Sequence, residues 1–160
     1  MLRAAIFLRN PAAAIYGDVT VGSIFAVETA QRETFAETLG AGLLALLMLW
    51  LAHAYAEDAS RRWREGEAIT LGGLRHSMAD ELSILLGAAI PILALIFTWI
   101  FGAGLGAAIY AATWVSVVTV VALEVLVGVR AKDARSSLGL RVLLGVFLGL
   151  GVVGLKVILH

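Results

Sequence analysis

Apolar residues fill this chain in long uninterrupted blocks rather than in the short alternations of a water-soluble domain. A membrane-spanning helix needs about 20 mostly apolar residues, and residues 39–57, 82–101 and 138–159 meet that requirement directly. A fourth block covers residues 105–129, set off from the one before it by Gly102, Ala103 and Gly104. Glycine accepts the left-handed backbone that closes one helix and opens the next, so this join reads as a tight helical hairpin. Pro91 is expected to kink the block that contains it.

Residues 11–29 are the ambiguous block, apolar at 12–15 and 24–27 but carrying Tyr16, Asp18, Thr20 and Ser23. Basic residues decide the matter, because Lys and Arg accumulate in short cytoplasmic loops. If this block spans, ten of the 12 Lys and Arg fall on one side, leaving Arg32 and Lys156 on the other. If it does not, Arg3, Arg9 and Arg32 all move outside and the ratio drops to eight against four. The expected architecture is therefore an all-α integral membrane protein, a single transmembrane domain over residues 1–160. It has five helices (11–29, 39–57, 82–101, 105–129, 138–159), its N-terminus inside and its C-terminus outside. Residues 58–81 form a short cytoplasmic connector, suited to extensions of the flanking helices plus a turn lying on the membrane surface.

Composition agrees with a membrane solvent: 61% of residues are hydrophobic and 15% charged, with a mean hydropathy of +0.94. Formal charge is zero, from 12 basic and 12 acidic residues, so nothing points to nucleic acid as a partner. The expected partner is the lipid bilayer. Without cysteine there is no disulfide, thiolate metal site or cysteine nucleophile. No other nucleophile, nucleotide loop or zinc-hydrolase motif is present, so the chain does not read as an enzyme and no catalytic residue is expected. The first block is read as retained rather than cleaved, because Arg3 interrupts the apolar start and Arg9, Asn10 and Pro11 follow it.

An ionisable group inside the hydrocarbon costs about 2.5–3.5 kcal/mol at a helix centre on insertion scales. Asp18, His53, Glu57 and Glu124 therefore ask for a reason. His53 and Glu57 are four residues apart and share a helix face. With five spans, all four residues fall in the cytoplasmic half. One reading is a polar pathway for a cation or a proton, carboxylate and imidazole being ligands for a borderline divalent metal. The plainer reading has Glu57 and His53 solvated at the interface and Glu124 paired with Arg130 or Arg141. Glycines form a second feature: Gly102, Gly104 and Gly106, then Gly145, Gly149, Gly151 and Gly154, at spacings that let helix backbones approach closely. Trp50, Trp99, Trp114 and Tyr110 are expected to pack or to anchor at interfaces.

The order of these pieces resembles the vacuolar iron transporter family. The resemblance rests on Ile15-Tyr16-Gly17 opening the first helix and residues 51–60 (LAHAYAEDAS) closing the second. It continues through residues 87–93 (GAAIPIL) and 126–150 (LVGVRAKDARSSLGLRVLLGVFLGL). It implies a five-helix fold, a homodimer, and exchange of Fe²⁺ or Mn²⁺ for protons, the metal being cargo rather than a resident cofactor. It also implies a helical metal-binding extension after the second helix, to which Glu65 corresponds. Asp18 lies about two places from the family's Asp in the first helix, and Ser60-Arg61 stands where the family has Ser-Met. The expected location is a membrane crossed several times, the bacterial inner membrane. The function expected is movement of a divalent cation or protons. The alternative is a non-transporting interaction or assembly protein that keeps the fold.

Overall fold

In the computed structural model, which describes residues 10–28, 33–66, 68–130 and 135–159, six helices account for nearly all of the described chain. They are α1 (Pro11–Val27), α2 (Phe35–Glu65), α3 (Leu71–Asp80), α4 (Leu82–Ile100), α5 (Leu105–Arg130) and α6 (Arg135–Leu159). Arg3, Arg9, Arg32 and Lys132, on which the charge asymmetry partly rests, lie outside the described residues, as do the side chains of Arg135 and Lys156.

The ambiguous helix turns out to be the central one. Pro11 at the first helical position, with the Asn10 side chain accepting from Ala13 N at 3.1 Å, starts α1. Its buried residues fall in pairs four apart: Ala13 and Ala14, Gly17 and Asp18, Val21 and Gly22, Phe25 and Ala26. That doubled row is wide enough to touch α4, α5, α6 and α2 at once. A helix surrounded by protein needs less hydropathy than one facing lipid, which is why its sequence signal is weak.

Glycine makes the closest approach possible. A Cβ on Gly17 would overlap the Ile84 carbonyl oxygen, and one on Gly87 would overlap the carbonyl of Ala14, so α1 and α4 meet backbone to backbone. A Cβ on Gly149 would stand 2.7 Å from Val117 Cγ1, and one on Gly145 would stand 3.1 Å from Glu124 Cγ, so both seat α6 on α5. Gly102 makes no such contact among the described residues, and Gly106 faces outward. Both are exposed, and Gly102 has open space around it and φ 85°, so its work is the α4–α5 turn.

Helix α2 runs further than its apolar block. A reciprocal Thr34–Glu37 capping box starts it four residues early. Gly66, in the left-handed region at φ 69°, ends it eight residues late. Its buried positions Thr38, Gly42, Leu46, Ala54 and Asp58 lie on one four-residue row, and Leu43, Leu44, Leu47 and Met48 are exposed. The connector is thus mostly helical: the last turns of α2, then α3, whose first turn Thr70 caps. Trp50 Nε1 donates to Met78 O at 3.1 Å, fastening α3 to α2.

Apolar side chains cover the outside as well as the core, Leu143, Leu144 and Phe147 of α6 among them. Helices α2, α4 and α5 are long and apolar enough to cross a membrane. Helix α1 and the Gly139–Gly154 stretch of α6 are shorter apolar helices. The chain is a helical protein built for a membrane.

Candidate functional site

Asp18 sits on the inner row of α1, fully buried where α1 meets α5. Ser116 Oγ donates to Asp18 Oδ2 at 2.7 Å and lies 3.3 Å from the Asp18 backbone carbonyl. Gly22, one turn further along α1, makes room for this contact, since a Cβ there would overlap the Ser116 hydroxyl. The second carboxylate oxygen, Oδ1, is buried without a hydrogen-bond partner among the described residues. The buried hydroxyls of Thr113 and Thr119 answer to their own helix, Thr113 to Ile109 O at 2.9 Å and Thr119 to Val115 O at 2.8 Å. Ser116 instead reaches across to another helix.

A second group of polar residues lies where the N-terminal end of α1 meets α2. Asn10, Ala12, Ala13, Tyr16 and His53 line an open cleft of about 240 Å³. The rings of Tyr16 and His53 stand 5.8 Å apart and are tilted by 35°. Behind His53, Glu81 at the α3–α4 junction is buried, its Oε2 3.8 Å from His53 Nε2 and without a hydrogen-bond partner among the described residues.

The four residues singled out in the sequence have different partners. Asp18 is held by Ser116, and His53 approaches Glu81. Glu57 is half-exposed and 3.6 Å from Arg64, while Glu124 Oε2 is 4.0 Å from Arg141 Nη1 on α6. Glu65 is exposed at the end of α2. Among the described residues no group of three or more His, Asp or Glu is placed to hold a metal ion.

Three buried polar residues were not singled out from the sequence. Asp58 is buried, and both of its oxygens are bound, by Arg61 at 2.6 Å and Arg62 at 2.8 Å. Its place on the same four-residue row as Thr38, Gly42, Leu46 and Ala54 was the available signal. Ser116 and Glu81 carried none, since both owe their importance to residues distant in sequence.

Burial pushes the Glu81 carboxyl above its usual range, and the nearby Glu57 and Asp80 reinforce this while His53 opposes it. A carboxyl raised on folding contributes stability below its unfolded value of 4.5, and that contribution is lost as pH rises through the folded value. Glu81→Gln is therefore expected to raise the thermal midpoint in detergent at pH 7.5. The scale is the cost of a buried unmet acceptor, about 1–3 kcal/mol. The gain should shrink toward pH 4.5, as melting curves at several pH values will show.

Comparison with known families, with curated proteins and with solved structures finds no match.

Proposed function

We propose that this chain spans the membrane five times, N-terminus inside and C-terminus outside, and moves protons or a divalent cation across it through Asp18. The observation that carries the reading is the Asp18 carboxyl itself, enclosed by helices with one oxygen engaged by Ser116 and the other unmet. Such a group is costly to insert, and an ionisable residue at that depth marks an ion path in the first instance. A proton is the simplest cargo, because one carboxyl is enough to carry it. Fe²⁺ or Mn²⁺ follows from the resemblance to vacuolar iron transporters, as does a homodimer; the membrane is read as a bacterial inner one. The cleft beside Tyr16 and His53 opens within a turn of Asp18 along α1 and supplies the cytoplasmic mouth.

Purified protein in liposomes loaded with a pH dye or a metal-sensitive dye is expected to dissipate an imposed H⁺, Fe²⁺ or Mn²⁺ gradient faster than empty liposomes. Equal rates for all three ions would refute transport. They would favour the second reading, an assembly module, which the outward apolar faces of α2 and α6 support. Topology is tested separately: reporter tags at Met1 and His160 should be protected on opposite sides of the membrane. Tags on the same side would refute five spans.

A further inference from the structure

Aromatic residues mark both ends of α2. At its start Phe35 stacks on Trp99, ring centroids 4.1 Å apart and 14° from parallel, and Phe101 beside them is 84% exposed. At its other end Trp63 is 90% exposed, one turn before the left-handed Gly66 reverses the chain. Beyond that turn Ile69 is 61% exposed and Leu71 82% exposed. Three large apolar side chains so bare, flanked by the charges of Arg64, Glu65 and Arg75, do not belong in bulk water.

Depth identifies what covers them. The 28 positions from Phe35 to Trp63 correspond to about 42 Å at 1.5 Å per residue. A bilayer measures about 40–45 Å with its headgroup layers included. If Phe35, Trp99 and Phe101 mark one headgroup layer, the length of α2 puts Trp63 in the other. An indole, with an apolar body and one N–H donor, suits a layer that offers both acyl carbon and phosphate or ester oxygen. The mixed charge around it matches a zwitterionic surface.

We infer that Trp63, Ile69 and Leu71 seat the α2–α3 turn in the phospholipid headgroup layer, anchoring the connector to the membrane its own helices cross. The inference rests on α2 spanning the bilayer and not on transport.

The test uses the whole chain in phosphatidylcholine vesicles, with the Trp63 emission isolated as the difference between wild type and Trp63→Phe. The expected result is strong quenching by lipid brominated high on the acyl chain, weaker quenching by lipid brominated near the bilayer centre, and little by aqueous iodide. Full quenching by iodide with none by bromolipid would overturn the proposal. So would protection from iodide that fades as the protein is diluted with lipid, because that assigns the surface to a second copy. Should Trp63→Phe fail to fold, a nitroxide on Ile69→Cys gives the depth independently. The chain has no native cysteine to label. A label accessible to aqueous relaxants and shielded from dissolved oxygen would likewise overturn the proposal.

Discussion

Gly87→Ala is expected to destabilise the protein by about 3 kcal/mol, at the upper end of the usual cost of overpacking. The new methyl would land on the Ala14 carbonyl, a backbone group that cannot swing aside as a flexible side chain does. Relief would require α1 and α4 to separate, and α1 is the helix on which α2, α5 and α6 also pack. Gly17→Ala should act alike, because its methyl meets the Ile84 carbonyl in the same seam. Gly40→Ala is the control, an interior position of α2 with nothing within 4 Å of the added carbon. There alanine should be neutral or stabilising by about 0.5–1 kcal/mol through helix propensity. Thermal melts of the three variants in one detergent give the comparison. Equal midpoints for Gly87→Ala and wild type would mean that the α1–α4 seam is looser than its geometry.

The positions of the apolar helices were legible because hydropathy is a local property, and the structure places α4, α5 and α6 within a few residues of the blocks. The ends of α2 were less so. Its cap at Thr34 and its exit at Gly66 lie among charged residues, where block hydropathy says nothing and capping chemistry decides. Burial was harder still. Gly145 and Gly149 stood out by their spacing, yet the tightest seam runs through Gly17 and Gly87, which become partners only once the fold has brought α1 against α4. Asp18 drew attention as a charge in an apolar setting, but its partner Ser116 is 98 positions away in sequence. Grouping Asp18, His53, Glu57 and Glu124 by shared depth ignored direction around each helix. In the structure Glu124 turns to Arg141 and Glu57 to Arg64.

Asp18→Asn should abolish ion movement and leave the protein folded. Asparagine keeps the volume of aspartate and an oxygen that can still accept from Ser116, while removing both the negative charge and the site that takes up a proton. The bundle has little reason to loosen, because among the described residues no ion pair engages Asp18 and no basic partner is stranded. A structural Asp18, paired tightly for the sake of the fold, would behave in the opposite way: breaking a buried pair costs about 3–5 kcal/mol and the variant would melt early. Flux and stability must therefore be read on the same preparation. The most direct measurement is the rate at which wild type and Asp18→Asn dissipate imposed H⁺, Fe²⁺ and Mn²⁺ gradients in matched liposomes, with the thermal midpoint of each protein recorded alongside. The predicted result is flux in wild type for at least one of these ions, its fall to the empty-liposome rate in Asp18→Asn, and midpoints that agree. Wild-type flux that survives in Asp18→Asn, or no flux from wild type for any of the three ions, would contradict it.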